Sequence, residues 1–371
     1  MKKVAIIGVT GFGRSHLGHL SKLAESGLLE LTAAVVRTPA RAQKELETLK
    51  KFNTRIYSTA DELFAAEQGK IDLVCIPTGI NSHEELTCKA VAAGMNVLLE
   101  KPAAGSTAAV DRMIAAQRPG LFTAVAFQHC YAPEIIFIKK LLTTGRLGKI
   151  LGSKVMGIWP RGDDYYSRNV WVAHRTAPDG ELVLDSPVNN AFAHYLNLLL
   201  FLNGRSEAVS AHAVSVEGDL MRARPGIEMF DACEAVFTLE NGRKLEILLA
   251  HCSNHQMQPH FRIQCENALI DWNLNTSAWS VTASDNTPIA SGTMVTPNEG
   301  MFRQILSKLD DPLVPCYTLE NAREHTNCIE LLDRTCQIRD VKAEREPEKG
   351  VWCVSGLPEH FVKRFEEPLL S

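Results

Sequence analysis

Glycines near the N-terminus are the first residues whose spacing suggests chemistry. Gly8-Val9-Thr10-Gly11-Phe12-Gly13 separates a short apolar run, Val4–Ile7, from a helical stretch beginning at Arg14. A buried strand, a glycine-rich turn and a helix start bring backbone N–H groups and the positive end of a helix dipole together, as a pyrophosphate requires. The usual dinucleotide spacing is G-x-G-x-x-G. Here Gly8 and Gly13 hold the outer positions, Thr10 holds the second, and Gly11 relaxes the turn. The same pattern also serves tight strand-to-helix turns that bind nothing. The next strand ends in Val35-Val36-Arg37-Thr38. An acid at that point hydrogen-bonds the adenosine ribose in NAD-binding chains. A cation and a hydroxyl stand there instead, which suits a 2′-phosphate, so NADP is preferred and NAD is the alternative. The alternative is that Arg37 stacks on adenine or faces solvent.

Metal chemistry is not expected. His251, His255 and His260 follow a β-like run and are assigned to a loop; only the first two have a helical spacing, and the glutamate of an HExxH motif is missing. The ten cysteines form no CxxC pair, and a chain this long needs no disulfide framework. They read as reduced, mostly buried thiols of a cytoplasmic protein.

These residues need a scaffold, and its first half is an alternation. Strands are expected at Val4–Ile7, Leu29–Val36, Ile71–Ile76, Asn96–Leu99 and Phe122–Ala126. Between them lie helices at Arg14–Ser26, Pro39–Leu49 (with Thr38 as N-cap), Ser58–Ala66, His83–Ala93 and Thr107–Gln117. Repeated strand–helix units imply an α/β fold, a doubly wound parallel sheet with helices on both faces. From about residue 209 the pattern changes to alternating strands, with Glu240-Asn241-Gly242 as a hairpin turn. The second half therefore reads as an α+β domain with a large open, mainly antiparallel sheet. Residues 1–126 form the first domain and 127–371 the second. With 371 residues, 45% hydrophobic and a net charge of −4, the chain can bury large cores and has no global attraction to nucleic acid or anionic lipid. No apolar run reaches the length of a membrane span, and Val4–Ile7 is too short for a signal peptide.

Further motifs occur in order. Ile76-Pro77-Thr78-Gly79-Ile80-Asn81-Ser82-His83 is followed by Asn96-Val97-Leu98-Leu99-Glu100-Lys101-Pro102, then Ala126-Phe127-Gln128-His129, then Gly145-Arg146-Leu147-Gly148-Lys149-Ile150. Together they resemble the glucose–fructose oxidoreductase, inositol dehydrogenase and MocA family (Gfo/Idh/MocA), clearly over residues 1 to about 150 and more weakly to the end. The resemblance implies hydride transfer between a nicotinamide and an alcohol carbon of a sugar, cyclitol or related polyol. It implies that Gly8, Thr10, Gly11, Phe12, Gly13, Arg37, Thr38, Pro77, Thr78, Asn81, His83, Glu100, Lys101 and Gln128 bind the cofactor.

Lys101 is the implied acid–base residue. Alcohol oxidation removes a proton from oxygen as hydride leaves carbon, and a positioned base lowers that barrier. Lys101 sits at the C-terminal end of a strand, where ligands bind in open α/β sheets. The family's second element is a helix carrying Asp-x-x-x-His. Here Ser186 as N-cap and Pro187 at the first position start a helix that runs to Asn203, with Asn190, His194 and Asn197 on one face. His194 matches the family histidine. Asn190 takes the aspartate position and adds no charge, while Asp185 stands five residues too early. Asn190 would position Lys101 or His194. Arg161, Tyr166, Arg168 and Trp171 lie in an irregular stretch just before, where rings and hydrogen-bonding groups suit a sugar or a subunit contact.

The expected protein is thus an NAD(P)-dependent oxidoreductase acting on a polyhydroxylated small molecule. Two alternatives stay open: transient redox enabling elimination, epimerisation or glycoside cleavage, and a non-catalytic NADP-binding regulator. A homodimer or homotetramer through the C-terminal sheet is expected.

Overall fold

A computed structural model describes residues 1–294 and 297–368. The first part alternates: β1 (Lys2–Ile7), α1 (Gly13–Glu25), β2 (Leu29–Val35), α2 (Gln43–Lys51), β3 (Arg55–Tyr57), α3 (Ala60–Glu67), β4 (Leu73–Ile76), α4 (His83–Ala92), β5 (Asn96–Leu99), α5 (Thr107–Ala115) and β6 (Thr123–Val125). Then come α6 (Pro133–Thr143), β7 (Ile150–Ile158), α7 (Asp163–Ser167), α8 (Ala193–Asn203), β8 (Ala213–Arg222), β9 (Ala232–Leu239), β10 (Lys244–Ala250), β11 (Met257–Cys265), β12 (Ala268–Asn273), β13 (Ala278–Ala283) and β14 (Pro288–Thr293). The chain continues through α9 (Asn298–Lys308), α10 (Leu319–Thr335), β15 (Ile338–Asp340), a small ribbon of β16 (Glu344–Arg345) and β17 (Trp352–Cys353), and α11 (Leu357–Glu366).

Two compact units result: residues 1–131 with 297–323, and residues 132–296 with 324–371. The expected cut at 126/127 does not separate them, because the segment bearing α9 packs with the first unit: Val125 N–H donates to Tyr317 O (2.8 Å) and Tyr317 N–H to the Tyr131 hydroxyl (3.1 Å). Nothing local in 297–323 announces that return.

The first unit is a six-stranded parallel sheet in the order β3-β2-β1-β4-β5-β6. Val4–Ile7, Leu73–Ile76 and Val97–Leu99 are buried, as continuous apolar runs covered on both faces should be. The chain adds strands outward from β1 to β3 and then returns to add β4 on the other side of β1, which makes the gap between β1 and β4 the switch point where open α/β sheets bind ligands. One expected helix is different. Pro39–Arg41 is a 3₁₀ turn, Ala42 leaves helical conformation (φ −125°), α2 starts afresh at Gln43, and Thr38 makes no side-chain cap. Thr59 does cap α3, in a reciprocal box with Glu62.

The second unit is a nine-stranded sheet, β14-β13-β12-β11-β7-β10-β9-β8-β15, antiparallel except at β7·β10 and β8·β15. Gly242 (φ +79°) closes the β9–β10 hairpin, donating to Leu239 O (2.8 Å). The first strand of this alternating stretch, β8, runs over Ala213–Arg222, a few residues later than the expected start at about 209. The centre of the sheet is covered on both sides. On one, Phe192 sits where a Cβ on Gly157 would meet its ring at 2.9 Å. On the other, Phe361 and Phe365 of α11 pack on Met156, Ile158 and Leu248. Buried Lys139 donates to Phe201 O, Gly204 O and Val209 O, closing the C-terminal end of α8.

Candidate functional site

In the first unit the turn after β1 is held by its own backbone. Gly8 (φ +90°) and Gly11 (φ +59°) use conformations that L side chains avoid. A Cβ on Gly13 would lie 2.2 Å from Gly8 O, so the third glycine is enforced by close approach. Gly13, Arg14 and Ser15 N–H are satisfied within the turn by Thr10, Gly11 and Phe12 carbonyls. The N–H groups of Gly11 and Phe12 have no acceptor among the described residues, and no acid occupies the first turn of α1. Free donors at a positive helix end fit a dinucleotide phosphate. Thr10, Phe12, Arg37 and Thr38 are exposed, and Arg37 has no ion pair among the described residues.

The turn after β4 lies beside this one. Pro77 and Thr78 are the side chains nearest Gly13 and Gly8 respectively. Asn81 and Gln128 are half-buried in short 3₁₀ turns. Lys101 stands two residues after the end of β5, is half-buried, and is joined to Pro102 by a cis peptide bond.

Two predicted cofactor contacts are instead committed to the protein. Buried Glu100 accepts Lys101 N–H through Oε2 (2.9 Å) and faces His16 Nε2 of α1 through Oε1 (2.9 Å). Buried His83 faces Pro102 O through Nδ1 (2.9 Å) and Thr78 O through Nε2 (3.2 Å), and burial lowers its pKa. Both residues position the Lys101–Pro102 corner. His16 was missed because only the tertiary fold brings it to Glu100.

In the second unit the expected helix from Pro187 is not formed. Residues 187–192 make turns, with Phe192 N–H reaching back to Pro187 O (2.8 Å), and α8 begins at Ala193. Ser186 Oγ accepts Asn189 N–H (3.3 Å) and so caps a turn. Asn190 and His194 therefore do not share a helix face. His194 lies in the first turn of α8, half-buried. Asn190 Nδ2 donates to Asp185 Oδ1 (2.7 Å), while Asp185 Oδ2 accepts Ala173 N–H (2.7 Å). Asp185, five residues before Asn190 in sequence, is thus its hydrogen-bond partner. The turn shortens that distance, which linear helical spacing cannot show.

Tyr166 stacks under Arg224 (4.4 Å), which pairs with Asp163 (2.6 Å). Arg161 and Arg168 instead flank Tyr165, at 5.0 and 3.9 Å from its ring centroid. Tyr165 is pushed up to about 12, by burial first and the charge of Asp185 next. Trp171 is half-buried. His251 lies under this group, stacked on Phe192, with Nδ1–H donating to Trp159 O (2.8 Å); burial and then Arg161 push it down to about 3. His260 is on β11, against Asp271 (2.9 Å), not on a loop. Among the described residues no cluster of three or more His, Cys, Asp or Glu side chains could hold a metal, and no helix is long and apolar enough to cross a membrane.

Residues 2–121 match the oxidoreductase family with an NAD-binding Rossmann fold, and residues 135–271 match the Gfo/Idh/MocA C-terminal domain. The chain belongs to the Gfo/Idh/MocA family. Among similar family members, the rhizopine catabolism protein MocA of Rhizobium meliloti is 30% identical over 146 residues, 39% of this chain and 44% of the relative. An inositol 2-dehydrogenase of Pseudomonas savastanoi pv. phaseolicola is 28% identical over 206 residues, 54% of each. The matches thus span about half the length of these relatives. The WlbA dehydrogenase of Bordetella pertussis, solved with NADH and UDP-GlcNAcA, superposes with a TM-score of 0.71 over 90% of this chain and 96% of that one. At 19% identity that likeness establishes the family fold.

Proposed function

We propose that this protein is an NAD(P)-dependent dehydrogenase that acts on a CH–OH group of a sugar, cyclitol or related polyol. The observation that carries the reading is the corner at Lys101. A half-buried lysine at a strand end is held by Glu100 and His83, in the same sheet as a glycine turn with free N–H donors. The bound dinucleotide supplies the hydride acceptor or donor. Gly11 and Phe12 N–H bind its phosphates. Lys101 Nζ takes the proton from the substrate hydroxyl oxygen and returns it in reverse. In the second unit His194 and Asn190 bind and orient substrate hydroxyls, and Asp185 holds the Asn190 amide in one orientation. That carboxylate weighs against the non-catalytic regulator, which drew on a missing charge at position 190.

NADP is the preferred cofactor, because Arg37 and Thr38 are exposed at the end of β2 with no acid there. NAD is the family-level alternative. Assembly through the nine-stranded sheet as a dimer or tetramer belongs to the same reading.

The test combines binding and turnover. Lys101→Ala should keep dinucleotide affinity within about twofold and lose at least ~100-fold in kcat, within the range that a general base contributes. Calorimetry with NADPH and NADH should show tighter NADPH. Wild-type turnover by the alanine variant would remove Lys101 from the chemistry; tighter NADH would reverse the cofactor assignment.

A further inference from the structure

The second unit contains a recess of about 230 Å³ lined by Trp159, Pro160, Arg161, Gln256 and Gln258. Its one charged group is a cation, and its other polar groups are two neutral amides. Arg161 is half-buried and makes no ion pair or side-chain hydrogen bond among the described residues; its Nε is buried without an acceptor. The guanidinium lies near the rings of Trp159 (5.7 Å) and Tyr165 (5.0 Å), above a His251 that stays neutral. Arg168, 3.9 Å from the Tyr165 ring centroid, adds charge of the same sign. Elsewhere in this unit comparable arginines are compensated: Arg224 by Asp163, Arg262 by Asp271, Arg222 by Asp340. No carboxylate lines the recess. Gln258 adds to the imbalance, since Trp159 Nε1–H donates to its Oε1 (3.0 Å) and so leaves the amide NH₂ as the outward group.

A desolvated guanidinium without a counter-charge is costly to a fold, and donors without acceptors are costly too. Both costs are relieved by a ligand that brings oxyanion acceptors, while the indole face suits sugar C–H groups. We propose that this recess binds an oxyanion borne by the substrate, a carboxylate or phosphate monoester on a polyhydroxylated carbon skeleton, with Arg161 as its counter-ion. This rests on the dehydrogenase reading and narrows it from neutral polyols to sugar acids or sugar phosphates.

The experiment is calorimetry on the protein saturated with its preferred dinucleotide, using D-glucuronate, D-glucose 6-phosphate and D-glucose as probes. At least one anionic probe should bind tenfold or more tightly than glucose, and which one does so identifies the oxyanion. Arg161→Gln should reduce that probe to the affinity of glucose, a loss of roughly tenfold to a hundredfold for one charged contact; Arg161→Lys should keep part of it. The Tm of Arg161→Gln without ligand should equal or exceed the wild type, because a half-buried unpaired charge is removed. Equal affinities of glucose and both anions, no binding of either anion, or anion binding unaffected by Arg161→Gln would each overturn the inference. The dehydrogenase reading fails separately, through absence of dinucleotide binding or of its reduction by any polyol.

Discussion

Asn190 shows how much one amide can decide. Its Nδ2 donates to Asp185 Oδ1 at 2.7 Å, and the other carboxylate oxygen is fixed by Ala173 N–H. The amide is therefore oriented, and its oxygen is turned away from the carboxylate. Restoring the family aspartate with Asn190→Asp would place two carboxylates in contact. One of them must then ionise well above its unfolded value, so the penalty is present at high pH and is relieved as pH falls through the raised pKa. The variant should lose about 1–3 kcal/mol at pH 8, the scale of losing a charged hydrogen bond, and clearly less at pH 5. Urea melts at the two pH values measure this. An equal loss at both would mean that Asp185 and residue 190 do not meet.

The glycine turn is an element whose backbone cannot accept a substitution. Gly13 faces Gly8 O, a main-chain atom, at 2.2 Å from a notional Cβ. Gly13→Ala should open the turn, lower the Tm and weaken dinucleotide binding at least tenfold by calorimetry. Gly18→Ala is the control. It lies on the exposed side of α1 with nothing within 4 Å of its Cβ, and alanine there should add about 0.5–1 kcal/mol through helix propensity. Unchanged dinucleotide affinity in Gly13→Ala would show that the turn is not the phosphate site. α8 teaches the converse lesson. Ser186-Pro187 has the residues of a helix start, yet Asn189 Nδ2 bonds Val183 O and Leu184 O (2.8 and 3.3 Å) and draws the chain into turns before the helix begins at Ala193.

Across the molecule, burial keeps several histidines neutral. His251 is pushed down to about 3, His129 to about 4, and His83 is lowered, each by burial first. Their unfolded value lies near ~6.5, so below it the unfolded chain takes up protons that the folded chain refuses, and stability is lost as pH falls from 6.5 toward 4. Asp231 works the other way. Burial raises it to about 6 although Ala223 and Arg224 N–H both donate to it, so it holds a proton in the folded state between pH 4 and 6 and adds stability as pH falls. Three histidines outweigh one carboxyl. Unfolding free energy should drop by at least ~3 kcal/mol from pH 7.5 to 5, and His251→Gln should flatten the slope, with denaturant melts as the readout. A pH-independent wild type would contradict the burial of these rings.

The strand–helix alternation, the glycine turn and the strand-end position of Lys101 were legible from residues 1–126 because run length, periodicity and turn chemistry are local properties of a chain. The family resemblance then pointed to His194. The amphipathic spacing of Leu357, Phe361 and Phe365, which buries one face of α11, is equally local. Other features had no local signal. Glu100 meets His16 across 84 residues, and residues 297–323 return to the first unit. Arg161 is left without a carboxylate while Arg224 finds one. Asp185 reaches Asn190 because residues 186–192 turn instead of coiling. Hydrophobic patterning says which face of an element is buried. Which polar group ends beside which depends on loop closure and on satisfying every buried donor and acceptor at once, and only the tertiary packing resolves that competition.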